Sequence, residues 1–219
     1  MRTGVLKIGG ASLFSEGIEF DQLRSYVQVI QSDPINRWFV LVGGGDTVES
    51  MRTIHRNHPQ LDSSRMHWRC VELLRATWDA AAELLQFDRL IETLQDLDVV
   101  TSKPTPGCYL VEASSFYHPK RLDWVPTRLR PKENWETTSD TLAWLLALRL
   151  RADELRLIKK PDCSKVESLD QAARLGLVDP QIATLSRNQP TNWKLDTVMV
   201  YHNQNWMTKN LRSLSPQPT

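Results

Sequence analysis

The stretch VLKIGGASLF, residues 5–14, decides the fold class of this 219-residue chain. Its apolar beginning indicates a short strand of the kind that parallel sheets bury on both faces. Lys7 lies inside that strand, and Gly9, Gly10 and Ser12 follow at once. Lysine is almost never fully buried unless it is paired. The stretch therefore predicts a cation at the carboxyl end of a strand, directed either at a site lined by backbone N–H groups or simply at solvent.

A second glycine turn repeats the arrangement in WFVLVGGGD, residues 38–46, where Gly43, Gly44 and Gly45 follow a continuous apolar run. Bare backbone at a strand end lets an anion approach N–H donors, and the helix that follows adds its positive end. Neither turn has the spacing of a nucleotide P-loop or of a dinucleotide-binding fingerprint. Each turn alone is more often structural, but two side by side predict a site for two anionic groups.

Strand and helix patterns alternate along the chain. Asp46 and Glu49 look like a capping pair for a helix after the second turn, and helical spacing extends over residues 63–85. The stretch 101–136 is irregular, and it is either a flap over a site or a long surface connection. The predicted strands are residues 5–8, 38–42, 98–100, 108–111, 154–158 and 197–201. This alternation predicts an α/β fold, a three-layer α/β/α sandwich with a mainly parallel central sheet.

The composition excludes several classes of protein. A net charge of +1 argues against a general electrostatic hold on nucleic acid or on an acidic membrane. No apolar run reaches the ~18 residues of a membrane span, and the amino-terminal stretch is broken too early for a signal peptide. Cys70, Cys108 and Cys163 fit neither a disulfide framework nor a metal site. We therefore expect a cytoplasmic protein with no nucleic-acid or membrane partner and no protein-held metal.

Two further stretches carry candidate site residues. In TTSDTLAW, Asp140 follows hydroxyl residues at a predicted helix start, so it either caps the helix or orients cations such as Lys7. In LIKKPD, Lys159 and Lys160 leave a strand at its carboxyl end, where they could meet nucleotide phosphates. Lys165 is a candidate of the same kind. The alternative for these lysines is a solvated basic surface.

Together, in order, these motifs resemble the amino acid kinase family. LKIGGASL is similar to its opening motif, VLVGGGDTVESMR to its second glycine turn, and TTSDTLAWLLALRLRADELRLIKKPD to the stretch with its catalytic aspartate and first nucleotide-binding strand. The resemblance covers most of residues 3–165. Length and the stretches MHWRCVELLRATWD, NWETTSD and GLVDP resemble a small branch that includes the archaeal kinase for aminomethylfuran-methyl phosphate in methanofuran synthesis.

The resemblance implies an eight-stranded, mostly parallel sheet, ATP with Mg²⁺ as donor, and a homodimer or higher homo-oligomer paired through the helix at residues 63–85. It implies that Lys7 stabilises the transferring phosphoryl group and that Asp140 organises the lysines. The implied phosphate- and nucleotide-binding residues are Gly9, Gly10, Ser12, Ser139, Lys159, Lys160, Asp162 and Lys165. The implied acceptor-binding residues are Gly43, Gly44, Gly45, Arg52 and His67, with Arg75 as a further contact if the acceptor is a phosphate monoester. For Arg52 a surface role, and for His67 a packing role, are the alternatives.

The chain departs from the family pattern on the nucleotide side, where KKPDC has Cys163 in place of a glycine. We expect one domain over residues 1–210, with an acceptor-side lobe at 1–137, a shortened nucleotide-side lobe at 138–210 and a frayed tail at 211–219. The predicted function is an ATP-dependent phosphotransferase for a small acceptor. The alternative is a non-catalytic nucleotide- or oxyanion-binding protein with a kinase-like fold.

Overall fold

A computed structural model of the chain describes residues 1–103, 105–159 and 168–190, together with Trp193, Leu195 and the backbone of 197–202. The described residues form a six-stranded sheet in the order β3-β4-β2-β1-β5-β6, and every neighbouring pair is parallel. The strands are β1 (Thr3–Ile8), β2 (Arg37–Val42), β3 (Leu90–Ile91), β4 (Gly107–Val111), β5 (Glu154–Lys159) and β6 (Thr197–His202).

Helices connect the strands and cover both faces of the sheet. They are α1 (Gly10–Leu13), α2 (Ile18–Gln31), α3 (Gly45–Asn57), α4 (Ser63–Leu84), α5 (Leu94–Ser102), α6 (Ser139–Leu150), α7 (Leu169–Arg174) and α8 (Pro180–Arg187). Two short 3₁₀ helices, Ala113–Ser115 and Thr127–Leu129, interrupt the long segment after β4. Because these crossovers place helices on both faces, the central strands β1 and β2 are buried along their whole length.

Two apolar cores lie on opposite faces of the sheet. On one face Leu6 and Ile8 of β1 pack with Leu23 and Val27 of α2. On the other face Val5 packs with a larger cluster that includes most of α6. The consecutive residues from Asp140 to Ala147 are buried, as expected for a helix enclosed within a core.

The sheet register places three strand ends side by side. β1 lies between β2 and β5, with Ile8 opposite Val42 on one side and Ile158 on the other. Ligand sites of open parallel sheets form outside the carboxyl ends of the strands, where connections leave in opposite directions. The fold therefore brings the first glycine turn, the second glycine turn and Lys159 together at the carboxyl ends of the central strands.

The predicted fold class is confirmed, with specific corrections. Residues 98–100 are not a strand but lie in α5, because Thr93 and Asp96 form a capping box and Leu97 is buried on the helix face. The predicted capping pair of α3 is also wrong, since that helix begins after Gly44 with no side-chain cap. β3, α1 and α8 were not predicted, and the described residues contain six strands rather than the eight implied by the resemblance.

Within the part of the chain that the structure describes, no helix combines the length and apolar character needed to span a bilayer. Cys70 and Cys108 are buried free thiols, and Cys163 lies outside the described residues.

Candidate active site

Two lysines share one buried carboxylate at the carboxyl edge of the sheet. Lys7 Nζ lies 3.0 Å from Asp140 Oδ1, and Lys159 Nζ donates a hydrogen bond of 2.5 Å to Asp140 Oδ2. Lys7 is 5% exposed and Asp140 is 2% exposed. Asp140 therefore forms ion pairs with both lysines.

Three elements bring these side chains together. Lys7 on β1 is opposite Leu157 of β5, two residues before Lys159. Asp140 comes from the first turn of α6, where Thr138 is the N-cap and accepts a hydrogen bond from the Asp140 N–H. A carboxylate in the first turn is also favoured by the helix dipole. Capping and lysine binding are thus both properties of this segment.

The charges in the cluster shift each other's pKa. Burial alone would raise the pKa of Asp140, but the positive charges of Lys159 and Lys7 outweigh it and hold that pKa well below its ordinary value. Burial lowers the pKa of Lys7; the charge of Asp140 opposes this effect and the charge of Lys159 adds to it. The cluster is therefore a desolvated cationic site whose carboxylate is a weak base.

The ammonium group of Lys7 lies between the two glycine turns. A Cβ at Gly9 would lie 3.8 Å from Lys7 Nζ, and a Cβ at Gly43 would lie 3.3 Å from it. The turns also touch each other, because a Cβ at Gly10 would lie only 2.0 Å from the backbone nitrogen of Gly45. Side chains at these positions would fill the space around the ammonium group, so the glycines keep that space open.

Ser12 gives independent support for an anion site here. Its hydroxyl oxygen is fully buried and has no hydrogen-bond partner among the residues that the structure describes, and it lies 3.7 Å from the Cβ position of Gly9. A buried polar atom without a partner requires an explanation. A phosphate oxygen between Ser12 and Lys7 would supply the missing partner. The Gly9 N–H, in contrast, already donates to the Ile158 carbonyl, so it is not a free donor.

A cavity of about 160 Å³ lies next to the cluster on the side of the second glycine turn. Its lining combines apolar side chains with charged and hydroxyl groups. Its lining consists of Gly44, Gly45, Val48, Glu49, Arg52, His67, Cys70, Val71, Leu74, Trp135, Thr137, Thr138, Ser139 and Leu142. Ser139 connects this cavity to the cluster, because its hydroxyl lies 2.6 Å from the Cβ position of Gly43. A wider groove of about 710 Å³ lies beside Gly4 and Arg156, at the amino ends of the strands, and contains no residue of the cluster.

Arg52 is the cationic group of this cavity. Its guanidinium lies 3.4 Å from a Glu49 carboxylate oxygen and 5.2 Å from the ring centre of Trp135. Its Nε is buried and has no hydrogen-bond partner in the described part of the chain. Trp135 is held in turn by a 2.6 Å hydrogen bond that it donates to Nδ1 of His55. The ring of Trp135 thus forms a fixed wall, and Arg52 has donor capacity for an anion.

His67 lines the cavity and also contacts the aromatic residues behind it. Its Nε2 is 3.0 Å from the Tyr117 hydroxyl, and Trp68 stacks on the Tyr117 ring. Burial lowers the pKa of His67, although a hydrogen bond to the backbone of Asn134 and the charge of Glu133 oppose that shift. The lowered pKa disfavours the charged form of the ring, and both the acceptor-binding and the packing roles of His67 stay predictions.

The structure gathers most of the predicted site residues and leaves others apart. Arg75 pairs with Asp79 and Glu92 on the surface, outside the cavity. Lys160, Asp162 and Lys165 lie outside the described residues. The sequence analysis missed Trp135, which lies in an irregular stretch, and Asp179, which caps α8 and contacts the start of α6. The binding roles of the individual residues stay predictions.

The cluster fits a nucleotide polyphosphate better than a bare metal ion. The carboxylate of Asp140 is taken up by two lysines, and that of Asp179 accepts five hydrogen bonds. In the described ranges, no three His, Cys, Asp or Glu side chains are grouped as metal ligands. Mg²⁺ commonly keeps several waters and binds substrate phosphates rather than a complete protein cage. Lys7, Lys159 and Ser12 would therefore hold phosphates that carry the ion with them.

Comparison with solved structures identifies the fold. The chain is similar to the UMP kinase from Ureaplasma parvum, with a TM-score of 0.56 and 11% identity over 92% of this chain and 90% of that one. It is also similar to the uridylate kinase from Archaeoglobus fulgidus, with a TM-score of 0.50 and 16% identity over 92% and 91%. The chain has the fold of these UMP kinases. No protein-family model and no curated protein matches its sequence, and nothing in these comparisons singles out the methanofuran branch.

The buried cluster predicts unequal effects of two substitutions on stability. Asp140→Asn leaves Lys7 and Lys159 facing each other without a counter-charge, and we expect a loss of about 3–5 kcal/mol in the free energy of unfolding. Lys7→Met should lower the free energy of unfolding clearly less, because Asp140 still forms its ion pair with Lys159. Urea unfolding at pH 7 measures both, and equal losses would contradict this account of the cluster.

The free energy of unfolding should also depend on pH, and the lowered pKa of Asp140 fixes the sign of that dependence. Because the folded pKa of Asp140 is lowered, its carboxylate contributes stability above the unfolded pKa of about 4. That contribution declines as the pH falls below this value. In urea unfolding, the difference in the free energy of unfolding between the wild type and Asp140→Asn should therefore become smaller as the pH falls below about 4.

Proposed function

We propose that the protein is an ATP-dependent phosphotransferase that moves the γ-phosphoryl group of MgATP to a small acceptor. The observation that supports this best is the buried Lys7–Asp140–Lys159 cluster between two touching glycine turns. Phosphoryl transfer needs positioning and neutralisation of charge more than covalent help from the protein. Two desolvated ammonium groups and an unpartnered Ser12 hydroxyl supply this chemistry.

We infer that the accepting atom is an oxygen that is already anionic. A general base should have a pKa near the working pH, but the pKa of Asp140 is lowered and its oxygens face two lysines. The Nε2 of His67 faces the Tyr117 hydroxyl. With a phosphate or carboxylate as acceptor, its oxygen bonds to the γ-phosphorus as the bond to the β,γ-bridging oxygen breaks. ADP then leaves with the negative charge on its terminal phosphate oxygen, and no proton has to be removed from the acceptor.

The size of the cavity favours an acceptor smaller than a nucleotide. About 160 Å³ is well below the ~300 Å³ at which sites for drug-sized ligands begin. A nucleoside monophosphate has a base, a ribose and a phosphate, so the Trp135 wall would have to move to admit one. The apolar side chains Val48, Val71 and Leu74 suit a compact body, and Arg52 suits one anionic group.

A phosphate monoester with a small apolar body satisfies these conditions, and the product would then be a diphosphate. Aminomethylfuran-methyl phosphate, the acceptor in the small branch that the sequence resembles, combines a compact furan ring with a phosphate monoester and an aminomethyl group, and it is the first acceptor to test. A homodimer paired through α4 belongs to the same proposal, because helix pairing is what the resemblance implies.

ADP release coupled to ³¹P NMR of the products tests the proposed activity. The wild type should form ADP with a small phosphate monoester, in a reaction that requires Mg²⁺, and UMP should be a much poorer acceptor. Lys7→Ala should abolish the reaction. Nucleotide binding without transfer to any phosphate or carboxylate acceptor would contradict the proposal and would support the non-catalytic alternative.

Arg52 and Arg56 on α3 form a matched pair for testing the acceptor site. Arg52→Ala removes a charged donor worth about 1.5–3 kcal/mol, so the KM for the acceptor should rise about 10- to 150-fold. Arg56 is 66% exposed, and it lies 3.6 Å from the same Glu49. Arg56→Ala should leave the KM nearly unchanged. Similar steady-state constants for the two variants would show that Arg52 does not bind the acceptor.

A further inference from the structure

The buried carboxylate of Asp179 accepts hydrogen bonds from two helices, α6 and α8. As the N-cap of α8 it accepts a hydrogen bond of 2.8 Å from the Ile182 N–H through Oδ1. It also accepts four hydrogen bonds from the first turn of α6, two from Thr138 and two from Thr141. Only 6% of the residue is exposed.

The donors of these four bonds are Thr138, which precedes Asp140 in the sequence, and Thr141, which follows it. The N–H and hydroxyl of Thr138 donate to Oδ2 at 2.8 and 2.9 Å, and the N–H of Thr141 donates to the same oxygen at 3.1 Å. The hydroxyl of Thr141 donates to Oδ1 at 2.6 Å. Ser139 and Asp140 lie between these two threonines. Asp179 therefore fixes the backbone that carries both the lysine-binding carboxylate and the Ser139 hydroxyl of the acceptor cavity.

The charge of Asp179 also reaches the cluster. It is one of the negative charges that raise the pKa of Lys7, opposing the effect of burial. Burial and the charge of Asp140 in turn raise the pKa of Asp179, although its hydrogen bonds work against that shift. Asp179 lies outside the cluster, so its charge only partly offsets the surplus positive charge that Lys7 and Lys159 leave beside Asp140. Without it, that surplus would be larger before substrate arrives.

We propose that Asp179 is a positioning residue for phosphoryl transfer, which fixes the start of α6 so that Asp140 can hold Lys7 and Lys159. This inference rests on the proposed function for its effect on turnover. It goes beyond that function in assigning a role to a residue that has no place in the cluster itself. A carboxylate is required, because each of its two oxygens accepts from at least one backbone N–H, and an amide nitrogen in place of either oxygen could not accept that bond.

Asp179→Asn tests this role, and Asp62→Asn is a matched control. Asp62 is also a helix N-cap, accepting from the Arg65 N–H at the start of α4, and it is exposed. We expect Asp179→Asn to lower kcat by about 10²-fold, the scale of a small misplacement at a reacting centre, with little change in the KM for MgATP. Asp62→Asn should leave both constants near those of the wild type.

The titration of Lys7 provides a readout that does not depend on turnover. With isotopically labelled lysine, NMR follows the Nζ of Lys7, which Lys7→Arg assigns, against pH. Asp140 and Lys159 face this group in all variants, so loss of the Asp179 charge should lower the Lys7 pKa. Asp62→Asn should not change it. If the wild type transfers phosphate to no acceptor, the proposed function fails, and this titration still decides the role of Asp179.

Thr141→Val covers the case in which Asp179→Asn does not fold. It keeps the carboxylate and the shape of the side chain but removes one donor to Oδ1, so a smaller loss of kcat is expected, again without a matching change in KM. A kcat and a Lys7 titration like those of Asp62→Asn, in whichever of the two variants folds, would overturn the proposal.

Discussion

The structure depends on one buried carboxylate that faces two lysines. Burial of two ammonium groups is costly unless their charge is compensated, and Asp140 provides that compensation for Lys7 and Lys159. The compensation is incomplete, because one carboxylate faces two cations. A site with surplus positive charge, removed from water, is suited to a polyphosphate, and the orphaned hydroxyl of Ser12 indicates the same kind of ligand.

This requirement explains the surrounding architecture. Lys7 can reach the site only because β1 lies in the middle of the sheet, where β2 and β5 end beside it. The glycine turns must lack side chains because the Cβ positions of Gly9 and Gly43 lie within 4 Å of the ammonium group. On the other side of the second turn, Arg52 and Trp135 line the smaller cavity. In the proposed function, the donor side and the acceptor side meet at Lys7 and Ser139.

Much of this arrangement could be predicted from the sequence, because strong local patterns encode it. The apolar runs before the glycines gave the two central strands, and the hydroxyl residues before Asp140 gave the start of α6. Other elements had weaker signals or signals that were read wrongly. Val99 looked like part of a strand because of a short apolar run, although Thr93 and Asp96 already carried the capping signature of a helix.

The tertiary parts of the site lay beyond sequence reasoning. Nothing in an irregular stretch predicts that Trp135 closes a cavity, since loops lack the periodicity that marks a buried face. Asp179 had a local signal, a carboxylate directly before a proline, which marks a helix start. That signal predicts a cap for α8, but the contact with α6 arises only from the packing of distant segments.

The central claim is that Lys7 binds the phosphates of MgATP, and the melting temperature with and without MgATP tests it most directly. Ligand at a hundred times its dissociation constant adds about 2.7 kcal/mol of stability, which corresponds to an increase of about 5–10 °C for a chain of this size. We predict such an increase for the wild type and a much smaller one for Lys7→Met. No increase at millimolar MgATP, or the same increase in both proteins, would contradict the claim.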